Sequence, residues 1–373
     1  MPHTPALAHS TSCVTLPFEA ARRVAELSAQ HPAQRVHGHH FQATVHALQH
    51  TLNPAYSSGY QEALQTPWQA AIARLDYQPL HELLAASDDT AIALHLLQQG
   101  APHAQAAVSL ASTPDQGVHL QPATGQYRYW RRFQFHAAHY LPKVPLGHKC
   151  GNLHGHQFAV VLQTRHDNPV SPANRTYDDM AARWVLLHTQ LDHAYLNDIA
   201  GLENPTSELL SRWIWERLAP QWPELEHVCV YETASCGACY NGQHFRIWKD
   251  FHMDSAVRFE QAPDGSRRAR LHGHTYTVRL HLQAALDQVL GWAVDFGDVK
   301  HQFQPLFKAM DHHHLGQLPG LANCDSGTLA RWVYQQFQPS QNALCQVDVM
   351  ETQGSGARYH PHAPALADLL LPL

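Results

Sequence analysis

The tripeptide His-Gly-His occurs three times, at His37–His39, His154–His156 and His272–His274, and the steps between copies are 117 and 118 residues. No other feature constrains the chain as strongly, because a constant step marks repeated structural units and a missed repeat miscalls the whole fold. A step of this length is too long for a solenoid unit and long enough for a small domain with its own core. The full length of 373 residues fits two to three such domains.

The surrounding residues repeat as well. The second copy, YRYWRRFQFHAAHYLPKVPLGHKCGNLHGHQFAVVLQT from Tyr127, meets the third at an offset of 118, pairing Arg128 with Arg246, Trp130 with Trp248, Phe133 with Phe251 and Ala138 with Ala256. The first copy meets the second at 117, so that Phe18-Glu19-Ala20-Ala21 falls on Phe135-His136-Ala137-Ala138. Further on, LDHAYLN (Leu191–Asn197) corresponds to MDHHHLG (Met310–Gly316) and more weakly to LDYQPLH (Leu75–His81). Glu203–Leu218 corresponds to Ala322–Phe337, with apolar residues near helical spacing. Val228–Ser235 corresponds to Gln346–Gln353 and to Ala107–Pro114; Glu232 is matched by Glu351, one place further along the third copy, and by Ala111 in the first.

Each copy therefore reads strand, connection, His-Gly-His strand, two helices and late strands. Tyr276, Val278, Leu280 and Leu282 alternate with polar residues, as a strand with one buried face does. The corresponding FAVVLQ is more uniformly apolar and is expected to be covered on both faces. The expected class is α+β, with three antiparallel sheets each carrying two helices on one side. The expected domains are 1–121, 122–243 and 244–373, divided in the polar connections PATGQ and CYNGQ.

Composition removes several functions. Net charge is −6 and no Lys/Arg block exists, which speaks against nucleic acid. No apolar run is long enough to span a bilayer. The N-terminal MPHTPALAHSTSCVTLPF lacks a cationic start followed by an apolar stretch, so no signal peptide is read there. Seven cysteines do not resemble a disulfide framework, and Cys236-Gly-Ala-Cys239 reads as two incidental surface thiols. The expectation is a reduced, cytoplasmic protein. With 32 histidines in the chain, a histidine counts only where its spacing gives it a job.

The middle copy gives such jobs. His154 and His156 project to one face of a strand with Gly155 between them, and a third imidazole from a neighbouring strand completes a zinc set with an open fourth position. His139 is the candidate; the first copy has Arg22 in its place and the third has Val257. Cys150, four residues before His154, is a candidate base or nucleophile, and its counterparts are Ala33 and Arg268. Asp192 and His193 form a pair suited to proton relay.

FHAAHYLPKVPLGHKCGNLHGHQF, followed by LDHAYLN, NPTSELLSRW and VYETAS, closely resembles the bacterial 6-carboxy-5,6,7,8-tetrahydropterin synthases of queuosine biosynthesis, relatives of 6-pyruvoyl-tetrahydropterin synthase. The resemblance is strong over the middle copy, incomplete over the third and faint over the first. It implies a tunnelling fold (T-fold) in which three copies close a twelve-stranded barrel, so that one chain is a covalent pseudo-trimer and two chains pair. It implies a lyase that takes 7,8-dihydroneopterin triphosphate to 6-carboxy-tetrahydropterin, acetaldehyde and triphosphate. About one Zn2+ per chain would sit on His139, His154 and His156. Cys150 would remove a proton, Asp192-His193 would shuttle protons, and Glu232 would anchor the pterin. Asp311 and His312 are candidates lent by the third domain; Glu351 and Lys149 are further substrate-binding candidates, with Arg268 beside Lys149 as a possible triphosphate contact. The alternatives are pyruvoyl-tetrahydropterin formation, another pterin side-chain cleavage, and a non-catalytic pterin-binding or assembly protein.

Overall fold

A computed structural model describes residues 10–100 and 106–361. The first nine residues, on which part of the N-terminal reading rests, lie outside the described residues. The first third builds β1 (Ser10–Arg22), β2 (His37–Leu48), α1 (Tyr60–Ala73), the short β3 (Gln78–Pro79), α2 (Leu80–Leu83), α3 (Asp89–Gly100), β4 (Ala107–Thr113) and β5 (Gln116–Gln121). The second builds β6 (Gln126–His139), β7 (His154–His166), α4 (Asn174–Leu191), the short β8 (Ala194–Tyr195), α5 (Ser207–Leu218), β9 (Leu225–Thr233) and β10 (Cys236–Tyr240). The third builds β11 (Phe245–Val257), β12 (His272–Leu282), α6 (Phe296–Met310), α7 (Ser326–Phe337), β13 (Leu344–Thr352) and β14 (Ser355–Tyr359).

Local chemistry repeats with the elements. The last helix of each third starts behind a capping side chain at one equivalent place: Asp88 accepts from Thr90 N, Thr206 from Leu209 N and Asp325 from Thr328 N. A turn before the short parallel pairing holds Tyr77, His193 and His312 at φ of 54°, 55° and 59°. A left-handed backbone is uncommon for such residues, and its threefold repetition ties the three copies together more tightly than sequence identity does.

The twelve long strands form one antiparallel sheet in the order β14-β13-β12-β11-β10-β9-β7-β6-β5-β4-β2-β1, and β1 pairs back onto β14. The closing register runs from Ser10 opposite Tyr359 to Cys13 opposite Gly356. The chain is a pseudo-trimeric T-fold barrel.

Strand alternation divides the barrel wall into two faces. Phe133 and Phe135 turn outward onto Trp184 of α4, at ring separations of 5.2 and 6.2 Å. Residues of the opposite parity turn inward, where Trp130, Val161, Cys229, Tyr231, Cys239 and Trp248 form a buried cluster. Phe158, Val160, Val161 and Leu162 are all buried, so β7 is covered on both faces, as its apolar run predicts.

The cysteine reading is corrected here. Cys229 and Cys239 face each other across β9 and β10 and are joined as a disulfide, and Cys236 is buried. The CxxC spacing concealed this because the partner of Cys239 lies outside the motif, on the adjacent strand. Among the described residues, no helix is long and apolar enough to cross a membrane.

Gly237 is the second residue of β10 and lies close against the neighbouring strands. A Cβ there would lie 2.1 Å from the Val230 carbonyl oxygen and 2.5 Å from the Trp248 ring. Gly237→Ala should therefore destabilise the fold by about 1–3 kcal/mol, the usual range for overpacking a close-packed interior. Denaturant unfolding reads this as a lowered midpoint, and an unchanged midpoint would mean that the barrel wall yields at this point.

Candidate metal and pterin site

The end of β6 and the start of β7 lie side by side, with His139 opposite His154 and Ala137 opposite His156. Alternation brings all three imidazoles to the helix-covered face, with ring centroids 4.5, 5.3 and 4.9 Å apart. β9 adds Glu232 from the next strand, and one donor atom from each of His139, His154, His156 and Glu232 lies within 4.8 Å of the others. His139 Nδ1 donates to the Pro205 carbonyl at 3.2 Å and His154 Nδ1 to that of Asn152 at 2.8 Å. Such backbone contacts fix a ligand imidazole and leave Nε2 as the lone-pair nitrogen.

Among the described residues, the buried Nε2 of His139 has no hydrogen-bond partner, a cost of about 1–3 kcal/mol unless something fills the gap. Burial pushes the His139 pKa down to about 4, with Glu232 opposing and His154 reinforcing the shift. The imidazole is then neutral at physiological pH, the form that ligates metal. The donor set fits a small cation such as zinc.

Glu232 accepts from Ser207 Oγ at 2.8 Å, and its other oxygen lies 3.4 Å from His156 Nε2. Burial raises the Glu232 pKa, but the His156 and Ser207 contacts outweigh it, so the carboxylate is held below its usual range. Cys150 stands on the short turn before β7, half-buried, with exposed Lys149 beside it. Burial and the Glu232 charge push its thiol pKa up, and Lys149 opposes them.

Ser207, Glu208 and a wall from the third domain were not singled out from the sequence. Glu208 is fully buried at the start of α5, accepts from Ala293 N at 2.7 Å, and has its pKa pushed up to about 7 by burial. His148 lies 3.5 Å from Asp295 and 5.9 Å from the Trp292 ring. The capping threonine of TSELL was the available signal for Ser207 and Glu208; the contacts from 290–295 come from a distant stretch of chain that no local pattern reveals.

Asp192 Oδ2 holds His193 Nδ1 at 2.8 Å, while Oδ1 accepts from His136 N. Asp311 and His312 repeat this pair at 2.9 Å on Asp254 N. Both pairs sit at the exposed rim of their own domain, and among the described residues neither hydrogen-bonds to Cys150. A cavity of about 570 Å3, lined in part by Arg132, Tyr231 and Arg279, lies on the opposite, inward face of the sheet and includes none of the metal-site residues.

The other two thirds fill the same places with arginine. In the first, Arg22 Nη1 pairs with Asp89 at 2.5 Å and Nη2 lies 3.2 Å from His39 Nε2, both charged groups being fully buried. Strand pairing also corrects the alignment here. Gln42 opposes Ala111 as Ala159 opposes Tyr231, so Ser112, and not Ala111, is the counterpart of Glu232. The bulge and the longer connection hid this shift of one residue. Ser112 Oγ donates to Asp89 at 2.9 Å, reproducing the Ser207–Glu232 bond with serine and carboxylate exchanged between helix start and strand. In the third, Arg268 replaces Cys150 and pairs with Glu351 at 2.5 Å.

Residues 128–243 and 246–362 each match the 6-pyruvoyl tetrahydropterin synthase family, together more than half of the chain. The chain is 36% identical over 118 residues to 6-carboxy-5,6,7,8-tetrahydropterin synthase of Synechocystis sp., covering 30% of this chain and 90% of that protein. The 6-pyruvoyl tetrahydropterin synthase structure from Caenorhabditis elegans is 18% identical with a TM-score of 0.29, over 31% of this chain and 94% of that one. An uncharacterized protein from Wolinella succinogenes is 16% identical with a TM-score of 0.27, over 32% and 99%. With two tandem matches, one of them containing the whole histidine cluster, the chain belongs to the 6-pyruvoyl tetrahydropterin synthase family.

Proposed function

We propose that the chain is a zinc-dependent carbon–carbon lyase with one working site, in its middle domain, which converts 7,8-dihydroneopterin triphosphate and one water to 6-carboxy-tetrahydropterin, acetaldehyde and triphosphate. The observation that carries this reading is the convergence of His139, His154, His156 and Glu232, with Cys150 on the turn that leads into β7, in the one third where neither arginine nor valine takes a ligand position.

His139, His154 and His156 would hold the zinc, which when bound would supply Lewis-acid stabilisation of negative charge developing on the substrate. Glu232 receives the pterin by accepting two parallel N–H bonds from its guanidine-like edge. Ser207 orients that carboxylate. Cys150 as thiolate removes a side-chain proton, with Lys149 favouring its charged form. Asp192 fixes His193 so that Nδ1–H is engaged and Nε2 exchanges protons; Asp311-His312 is the counterpart lent by the third domain. Glu208, Trp292 and Asp295 hold the wall that the third domain places against the site. The protein acts in the cytoplasm in this reading.

A second reading, formation of 6-pyruvoyl-tetrahydropterin without carbon–carbon cleavage, is favoured by the family match itself. Turnover of 7,8-dihydroneopterin triphosphate separates the two. Purified protein should contain about one zinc per chain, release acetaldehyde, lose activity to a chelator and regain it with zinc. Triphosphate release without acetaldehyde moves the reaction to the pyruvoyl branch, and three zinc ions per chain overturn the single-site assignment.

Glu232 lies close enough to the histidines to serve as a fourth ligand as well. Glu232→Gln should keep its zinc and raise KM by about ten- to a hundredfold, as loss of a charged hydrogen-bond partner does. Loss of zinc from this variant would make Glu232 a ligand.

Pairing of two chains rests on Val36, Leu153 and Leu271, which occupy one equivalent position before each His-Gly-His strand and are 61%, 68% and 65% exposed. Three exposed aliphatic side chains around one rim suit an isologous contact with a second copy. Light scattering should give a mass near twice 41.9 kDa, and Leu153→Asp with Leu271→Asp should halve it. A mass of one or three chains for the unaltered protein rejects the pairing.

A further inference from the structure

We propose that the third domain retains a second pocket for a guanidine-like heterocycle edge, and that the side chain of Arg268 occupies it from within the chain. This rests on the reading of Glu232 as the pterin anchor in the middle domain.

Glu351 stands where Glu232 stands: Met350 opposes Thr277 on β12 as Tyr231 opposes Ala159 on β7, so the next residue of each strand faces the helices. Glu351 is buried, and its surroundings form a site for a planar, multiply donating group. Arg268 Nη2 donates to Glu351 Oε1 at 2.5 Å and to Gln61 Oε1 at 2.6 Å. Its Nε lies 3.4 Å from Glu62 Oε1, and the guanidinium carbon lies 5.0 Å from the Phe259 ring centroid. Carboxylate, amide oxygen and aromatic face are the groups that bind a flat amidine-type edge.

A guanidinium and the 2-amino-4-oxo edge of a pterin present the same pattern of adjacent N–H donors. Burial opposes the Arg268 charge, but Glu351 and Glu62 more than offset it. In the middle domain, by contrast, no Lys or Arg side chain among the described residues pairs with Glu232, which contacts Ser207 and His156. Val257 in the place of His139 removes a metal ligand, so a pterin admitted to this pocket would be bound without being cleaved. Arg268 therefore acts as an internal ligand. It also ties the third domain to Gln61 and Glu62 of the first.

Equilibrium binding of neopterin to the full chain tests this. The unaltered protein should bind about one equivalent and Arg268→Ala about two, the extra one being lost in Arg268→Ala with Glu351→Gln. Methylguanidinium, a fragment of the arginine head, should compete with neopterin for the extra site. Arg268→Met, run in parallel, keeps the apolar stem on Phe259 and provides a folded protein if alanine does not. One equivalent in a folded Arg268 variant, or two in the unaltered protein, overturns the proposal. Neopterin binding that persists at one equivalent in Glu232→Gln with Arg268 intact rejects instead the reading of Glu232 on which it rests.

Discussion

The pairing of β1 with β14 is the contact on which everything else depends, because it is the one junction between thirds that the chain does not tie covalently. β5 runs into β6 and β10 into β11 through short connections, whereas the first and last strands must find each other. Their ladder removes the two open edges that would otherwise invite other chains. It also completes a cycle of mutual support. Residues 290–295 of the third domain lie against the middle site, Gln61 and Glu62 of the first against that of the third, and Ser171, Ala173 and Tyr177 of the second around Asp88 and Asp89 of the first. Every site is finished by the following third, so an unclosed barrel would leave one of them without its wall.

Two different arginines close the sites that lack a full ligand set, and each does so by supplying charge. A cluster of inward-facing lone pairs and a buried carboxylate are costly when nothing cationic sits among them. Arg22 brings a guanidinium to His39 and Asp89 in the first third, on the metal side of the site. Arg268 brings one to Glu351 in the third, on the carboxylate side. The first and third copies thus meet this demand with a guanidinium, while the cluster of three histidines and a glutamate occurs in the middle one.

The fold was legible because its information is periodic. The His-Gly-His step, the alternation in β12 and the apolar run of β7 are local patterns, and backbone geometry converts them directly into strands and faces. The histidine cluster was legible for the same reason, since Gly155 between two histidines fixes their common side. What escaped was set by pairing between distant strands. The one-residue shift that makes Ser112 the counterpart of Glu232, the bond between Cys229 and Cys239, and the reach of Asp295 to His148 are all invisible until registers are known.

The exchange of serine and carboxylate between Asp89–Ser112 and Ser207–Glu232 has a broader meaning. In an assembly of three identical subunits, any substitution is imposed three times around the axis at once, and a change tolerable at one position must be tolerable at all. Joining the subunits end to end lifts that obligation. A swap of two residues across a helix and a strand passes through intermediates that would disturb the local packing, yet in a single linked chain only one third of the barrel bears them.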